Sequence, residues 1–334
     1  MATIRDIAER LGVSLSTVSK GLHGAPDISE ELRQLVLDTA VEMNYTTKRM
    51  RKESTKKLCI FVEHTQYDLP TSYAYEIVLG FKQAAFRGNW NVDVVTITPE
   101  FQLEEKYDTF MLRNGYSGSF FIGFYREDNW IGQLETTGVP TVILDNCAPR
   151  NPNVAYVGSD SYEGIDTAVK YLKDLHHTRI GFINASESSM VVDYREQAFR
   201  ASLKEYQLPL DKKLIVHTPL SGLEVSKDLP VLLSNGATAI VCINDHIAIE
   251  VLKECKKNGY RVPEDISIIG YDDLPAASEA TPPLTTIRQS WLDLGKCSYY
   301  TLDCLIMHVA CSVNLLRPQL VVRESTGSAP EGTN

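Results

Sequence analysis

The N-terminal stretch Thr3-Ile4-Arg5-Asp6-Ile7-Ala8-Glu9-Arg10-Leu11-Gly12-Val13-Ser14-Leu15-Ser16-Thr17-Val18-Ser19-Lys20 carries two short helix patterns separated by a single glycine. Thr3 can cap a helix, with Asp6 three residues on in the capping-box arrangement. Ile4, Ile7, Ala8 and Leu11 fall at i, i+3, i+4 and i+7, the apolar stripe of an amphipathic helix. Gly12 tolerates positive φ and stops it. Ser14 is placed to cap a second helix containing Val18 and Leu22, so that Gly12-Val13-Ser14 forms the tight turn of a helix-turn-helix. A third helix follows Ser29, with Glu30 and Glu31 at its positive end. Its expected buried stripe is Leu32, Leu35, Val36, Thr39, Ala40 and Met43. An ordinary helical hairpin would share this pattern, so the other face of the second helix matters. Leu15, Ser16, Thr17, Ser19 and Lys20 are short or polar there, as a helix needs to enter a major groove and reach base edges or phosphates.

Charge is distributed to match. The 334 residues carry a net charge of −10. Residues 1–57 nevertheless hold 10 Lys/Arg against 8 Asp/Glu, leaving 23 against 35 for the remainder. Lys48, Arg49, Arg51, Lys52, Lys56 and Lys57 surround the single acid Glu53. A basic segment on an acidic body suits contact with a polyanion, and it equally suits a solvated linker. No apolar run approaches the ~20 residues that span a bilayer. The start of the chain lacks the basic, apolar and small-residue pattern of a secretion signal, so a cytoplasmic protein is expected. Seven cysteines, odd in number and without a CxxC pair, read as reduced core thiols. Cys297, Cys304 and Cys311 recur at seven-residue spacing, which predicts one helix face.

From residue 58 the pattern changes to short apolar runs: Leu58–Val62, Val92–Val95, Phe120–Ile122, Val142–Leu144, Ile180–Ile183, Ala239–Ile243 and Ile266–Ile269. Helical segments such as 162–175, 193–205 and 245–258 lie between them. Such alternation predicts parallel sheets flanked by helices, and the number of strands predicts two lobes. Ligands bind such sheets beyond the carboxyl ends of the strands. Asp145 follows the Val142 strand, Asn244 and Asp245 end the Ala239 run, Asp272 follows Ile268-Ile269-Gly270-Tyr271, and Arg195 opens the helix after the Ile180 strand. Two carboxylates, an amide and a guanidinium suit a polyhydroxylated ligand, because carboxylates accept from vicinal hydroxyls and the Arg fork donates two bonds. Taken singly, each is also a common turn former.

Together, Ile4-Arg5-Asp6-Ile7-Ala8, Gly12-Val13-Ser14, Thr17-Val18-Ser19 and Ile28-Ser29-Glu30 closely resemble the lactose/galactose-repressor family of bacterial transcription regulators. The resemblance continues through Val157-Gly158-Ser159-Asp160, Asn244-Asp245, Arg261-Val262-Pro263-Glu264-Asp265-Ile266-Ser267, Gly270-Tyr271-Asp272-Asp273 and Pro282-Pro283-Leu284-Thr285-Thr286-Ile287, nearly the whole chain. It implies an all-α helix-turn-helix headpiece (1–46), a basic hinge (47–57), a two-lobed α/β periplasmic-binding-protein-like body (58–324) and a flexible tail (325–334). Lobe crossovers would fall near Val157–Ser159, Arg288–Gln289 and Pro318–Gln319. By the same resemblance Leu15, Ser16 and Lys20 would read bases, while Thr17 and Ser19 would touch phosphate. Thr3, Ser14 and the hinge residues Lys48, Arg49, Met50 and Arg51 would complete the DNA contact. Tyr73, Asp145, Arg195, Asn244 and Asp272 match positions that hold a small-molecule effector, usually a sugar or a nucleobase, with Tyr73 as an aromatic wall.

The chain departs from the family at the hinge. Thr47 and Lys48 replace a Pro-Asn pair, the segment is about one helical turn short, and Met50 replaces the leucine that wedges into the minor groove. A hinge held mainly by phosphate neutralisation is expected. Ala198 stands where a glycine is usual, and no aromatic occurs in Leu214–Pro219. The tail lacks a leucine heptad, so a two-fold dimer on a pseudo-palindromic operator is expected rather than a tetramer. No metal or cofactor is expected. No GxGxxG after a strand, GxxxxGK[ST], HExxH or GxSxG is present, which argues against an enzyme. His176-His177 reads as a surface turn. A repressor whose effector alters lobe closure and headpiece spacing is the function expected. A member with a silent cleft controlled by a protein partner, or a sugar-binding transport protein, are the alternatives.

Overall fold

The computed structural model describes residues 2–43, 45, 56–69, 72–146, 150–187 and 189–330. Three helices come first: α1 (Ile4–Leu11), α2 (Leu15–His23) and α3 (Glu30–Glu42). Their caps follow the side-chain chemistry. Thr3 and Asp6 bond reciprocally, Ser14 and Ser29 each accept from the backbone N–H three residues on, and Gly12 closes α1 at φ 65°. Ile7, Ala8, Val18, Val36 and Ala40 form the shared core, with Ile4, Leu11, Val13, Leu22, Met43 and Tyr45 around it. The third helix differs from expectation: Leu35 is half exposed and Leu37 is buried instead. The reason is a second packing surface, since Leu112 also packs on the headpiece core and the Thr109 hydroxyl donates to Asp38 at 2.7 Å.

The chain divides into two compact units, crossing between them at Val157/Gly158, Ser290/Trp291 and Asn314/Leu315. The first unit, which includes the headpiece, contains β1 (Lys57–Val62), α4 (Tyr73–Arg87), β2 (Asn91–Thr96), α5 (Pro99–Glu104), α6 (Tyr107–Asn114), β3 (Gly118–Ile122), α7 (Asn129–Gln133), β4 (Thr141–Leu144) and β5 (Val154–Ser159). The second runs through α8 (Ser161–Asp174), β6 (Ile180–Ala185), α9 (Met190–Glu205), β7 (Ile215–Thr218), α10 (Val225–Ser234), β8 (Ala239–Cys242), α11 (Asp245–Lys257), β9 (Ser267–Asp272), α12 (Pro275–Glu279) and β10 (Thr285–Arg288). Helix α13 (Trp291–Ile306) returns to the first unit, and β11 (Val313–Leu316) and β12 (Gln319–Val321) follow.

Each unit is built on a six-stranded sheet, in the orders β11-β5-β4-β3-β1-β2 and β12-β10-β9-β8-β6-β7. Strands β2-β1-β3-β4-β5 pair in parallel, as do β7-β6-β8-β9-β10, while β12 runs antiparallel to β10. Parallel pairing requires crossover helices, which bury both faces and explain the continuous apolar runs. All seven runs read from sequence are strands. In addition β5, β7, β10, β11 and β12 form, whose shorter or polar-interrupted patterns gave less signal.

In the first unit Phe61 is ringed edge-on by Tyr107, Phe110, Phe121 and Trp130 at 5.1–6.2 Å. On α4 and α13 two glycines allow backbone contact: a Cβ on Gly80 would lie 2.0 Å from the Leu292 carbonyl oxygen, and one on Gly295 2.0 Å from that of Ile77. The second unit has separate clusters around Ile247, Val251 and Ile268 and around Phe182, Phe199 and Ile287.

Three local expectations are corrected. Residues 325–330 are not a flexible tail: Ser325 is fully buried, its hydroxyl donating to the Ile268 carbonyl at 2.6 Å and accepting from the Thr285 N–H at 2.8 Å, and the Ala329 N–H donates to the Leu175 carbonyl at 2.9 Å. His177 is not in a surface turn but fully buried, its ring nitrogens 3.0 Å from Thr238 Oγ1, Ser267 Oγ and the Gly327 carbonyl oxygen. Burial pushes its pKa down, favouring the neutral ring. Cys297 and Cys304 lie on α13, but the helix ends at Ile306 and Cys311 lies beyond it. These three thiols are only partly buried, whereas Cys59, Cys242 and Cys255 are core residues. Cys147 and the hinge residues Lys48, Arg49, Met50 and Arg51 fall outside the described residues.

Candidate functional site

The first candidate site is the exposed face of α2. Val18 and Gly21 face the headpiece core, so the helical period turns Leu15, Ser16 and Lys20 outward. Leu15 is 48% exposed, an apolar side chain at the first helical position. That placement suits contact with a thymine methyl. Lys20 pairs with Asp27, an exposed bridge that competing phosphates can replace. Thr17 and Ser19 are half-buried. The Thr17 hydroxyl lies 2.9 Å from Ser14 Oγ, and Ser14 in turn accepts from the Thr17 N–H at 3.0 Å. The Thr3 hydroxyl donates to the Asp6 carboxylate at 2.9 Å. Thr3 and Ser14 therefore hold helix ends, and the N–H groups of those ends are favourable places for phosphate.

The second candidate site lies at the carboxyl ends of the strands of the second unit. Helix α9 begins at Met190, capped by Ser189, which places Arg195 in its second turn rather than at its opening. The guanidinium carbon stands 3.5 Å from the centre of the Tyr271 ring, and Nη1 donates to the Ile243 carbonyl. Nη2 is 3.8 Å from Asp272 Oδ1, and the same oxygen accepts from Gln289 Nε2 at 2.7 Å. Burial raises the Asp272 pKa, opposed by the Arg195 cation and the Gln289 bond. Two buried polar atoms in this group, Arg195 Nε and Gln289 Oε1, have no hydrogen-bond partner. A donor and an acceptor left unmatched in this way are what a hydroxylated ligand would satisfy.

The strand end that carries Asp272 is under backbone strain and is held accordingly. Asp272 and Asp273 have φ of 113° and 54°, unfavourable for residues with a side chain. Asp273 is gripped by Arg288 and Arg323, each at 2.6 Å. The neighbouring Asp245 is fully buried, accepting from Thr286 Oγ1 at 2.5 Å and the Leu274 N–H at 2.7 Å. Burial, with Asp272 nearby, pushes the Asp245 carboxyl up to about 8. Asn244 caps α11, its side-chain oxygen accepting from the Ile247 N–H at 2.8 Å. Its amide nitrogen takes no part in that cap.

In the first unit, Tyr73 opens α4 with its ring 5.3 Å from Trp291. Asp145 follows β4 at φ 49°, its N–H donating to the Val157 carbonyl. Gln289, Glu63, His64 and Asp128 were not singled out from sequence. Gln289 was readable only as a crossover residue, and the others carry no spacing motif. An open depression of about 570 Å³ is lined by His64, Thr65, Gln66, Leu69 and Ser72, beyond the carboxyl end of β1. Beside it, burial pushes the Glu63 carboxyl up to about 7, with Asp128 adding to the rise.

Comparison with known proteins bears on the fold and the family. Residues 3–48 match the model for bacterial regulatory proteins of the lacI family, and residues 169–326 match a periplasmic binding protein-like domain. The chain is 28% identical over 335 residues to the transcriptional repressor PurR of Mannheimia succiniciproducens, spanning 97% of this chain and 98% of that one. Among solved structures, the lac repressor dimer bound to operator and the anti-inducer ONPF is 26% identical, with a TM-score of 0.67, covering 98% of this chain and 99% of that one. The transcriptional regulator CelR in complex with cellobiose superposes with a TM-score of 0.72 at 23% identity, covering 97% of this chain and all of that one.

Proposed function

The chain belongs to the lacI family of bacterial regulatory proteins, and we propose that it is a cytoplasmic, dimeric, non-enzymatic repressor whose operator affinity is set by a small polyhydroxylated effector. DNA-binding transcription regulation is its function. The finer reading assigns base contacts to Leu15, Ser16 and Lys20, with Thr3, Ser14, Thr17 and Ser19 near the backbone. Lys48, Arg49 and Arg51 supply phosphate neutralisation and Met50 is the one apolar side chain there. Because one headpiece reads one half-site, a two-fold dimer matches a pseudo-palindromic operator. Tyr73, Asp145, Arg195, Asn244 and Asp272 are assigned to the effector.

The single observation that carries the effector reading is the unmatched Arg195 Nε and Gln289 Oε1 beside Asp272. A ligand hydroxyl donates to the acceptor, a ligand oxygen accepts from the donor, and the Tyr271-stacked guanidinium is already oriented. An effector can shift operator binding only by its differential affinity for two states of the protein.

The test is a thermal-shift panel of sugars, sugar acids, sugar phosphates and purines on the full chain. A ligand at ~100 times its dissociation constant should stabilise by ~2.7 kcal/mol. A hit that also alters operator retention in a gel-shift assay, and that is lost in Arg195→Lys, supports the reading. A hit retained in Arg195→Lys places the effector elsewhere, and no hit across the panel favours control by a protein partner.

A further inference from the structure

In the first unit, three potential metal ligands converge beyond the carboxyl end of β1. Glu63 Oε1 lies 3.6 Å from His64 Nε2, which lies 3.6 Å from Asp128 Oδ1, and all three atoms fall within 4.8 Å of one another. Their setting differs from that of a chance surface cluster. The Glu63 side chain is 1% exposed, and its Oε1 is buried without a hydrogen-bond partner. The other oxygen, Oε2, accepts from Gln102 Nε2 at 2.5 Å, while Gln102 Oε1 accepts from the Trp130 N–H at 2.9 Å. Gln102 is itself buried, so it fixes which carboxylate oxygen turns toward His64 and Asp128.

The remaining members are similarly positioned. The His64 ring stacks on Tyr125 at 4.4 Å, and the left-handed backbone at His64, φ 52°, swings it over the end of the strand. Asp128 precedes α7 without capping it. Its Oδ2 accepts from the Tyr125 N–H at 2.6 Å, which leaves Oδ1 toward the imidazole. Such partners on the far side of each ligand are what orient a metal's donors. The 3.6 Å separations from the imidazole to each carboxylate oxygen require only a small contraction to suit metal–oxygen and metal–nitrogen bonds of about 2.0–2.2 Å.

We propose that Glu63, His64 and Asp128 form a binding site for one divalent first-row transition cation, Zn²⁺ or Mn²⁺ in character. One imidazole and two carboxylates are a borderline-to-hard donor set, which disfavours Cu(I) and other thiophilic ions. Three protein donors leave coordination positions open, and His64 lines the 570 Å³ depression through which water or an oxygen ligand reaches them. Gln102 is a positioning residue, touching Glu63 and not the cation.

The test uses the full chain, stripped with a chelator and free of any affinity tag, titrated calorimetrically with ZnCl₂ and separately with MnCl₂. One equivalent should bind per chain. Glu63→Gln, His64→Asn and Asp128→Asn should each weaken binding by at least about 10-fold, and Gln102→Leu by about 10–100-fold. Cobalt(II) loaded on the wild type should show d–d bands without a thiolate charge-transfer band, which separates this site from the cysteines. His64→Asn and Asp128→Asn replace partly exposed side chains, so they stay informative if Glu63→Gln does not fold. Absence of binding would overturn the proposal. Unchanged affinity in His64→Asn and Asp128→Asn would equally overturn it.

Discussion

The guanidinium of Arg195 stacks on the Tyr271 ring at 3.5 Å while its Nη2 faces Asp272, the next residue of the same strand, at 3.8 Å. Residues 271 and 272 point to opposite sides of a pleated strand, so Arg195 wraps the strand end and meets both. The cation–π contact holds the plane of the fork and the carboxylate holds its direction.

Removing that cation leaves a half-buried carboxylate without its charge partner. Arg195→Ala should lower stability by about 3 kcal/mol, measured by urea unfolding, because Asp272 then loses its facing guanidinium and keeps the Gln289 bond. Arg195→Lys keeps the charge but loses the fork and the stack. Its loss should be smaller, with the effector-induced thermal shift abolished and operator binding intact.

Asp245 makes stability depend on pH. Its native carboxyl titrates near 8 against an ordinary value of 3.8, so between these values the folded protein holds a proton that the unfolded chain has released. Stability from this residue is therefore complete below about pH 4 and falls as pH rises toward 8. Asp245→Asn keeps the Leu274 bond and can donate to Thr286, so its unfolding free energy should vary less over this window. The two curves should diverge by more than about 1 kcal/mol between pH 5 and 8, a tenfold change in proton affinity being worth about 1.4 kcal/mol. Parallel curves would mean that Asp245 is ionised in the native state.

Leu15 and Ser14 are adjacent yet should behave differently. Leu15→Ala removes an exposed side chain, so operator affinity should drop by roughly 10-fold with no change in melting temperature. Ser14→Ala removes the cap of α2, which should cost the headpiece about 1 kcal/mol. Gel shift with operator and random DNA, run beside thermal melts of both variants, separates the effects.

The close approach of α4 and α13 leaves no room for a methyl group. Gly295→Ala should destabilise by about 1–3 kcal/mol or more, since the atom it meets is backbone. Gly132 on α7 has open space around its Cβ position, and Gly132→Ala should be neutral or slightly stabilising. Urea midpoints of the two variants check this directly.

The headpiece and the parallel sheets were legible because their signals are local. Capping at Thr3, Ser14 and Ser29 depends on residues three apart, and each buried parallel strand announces itself as an apolar run. Leu35 and Leu37 were misassigned because a single helix stripe cannot reveal that α3 meets a second surface near Thr109 and Leu112. His177 was misread for the same reason: its partners Thr238, Ser267 and Gly327 are remote in sequence.

The candidate sites divide along the same line. Sequence alone determined that the chain begins with a DNA-reading headpiece and that Asp272 stands at a strand end, because periodicity, caps and motif spacing are properties of neighbouring residues; Arg195 it placed one turn too early, at the opening of α9. Only the tertiary structure decided that Gln289 shares Asp272 with Arg195, that Asp245 is a buried clamp, and that Gln102 turns one oxygen of Glu63 toward His64 and Asp128. Those relationships join residues 17 to 77 positions apart, and they exist only once parallel strands, aligned by their crossovers, bring their carboxyl ends to one edge of each sheet.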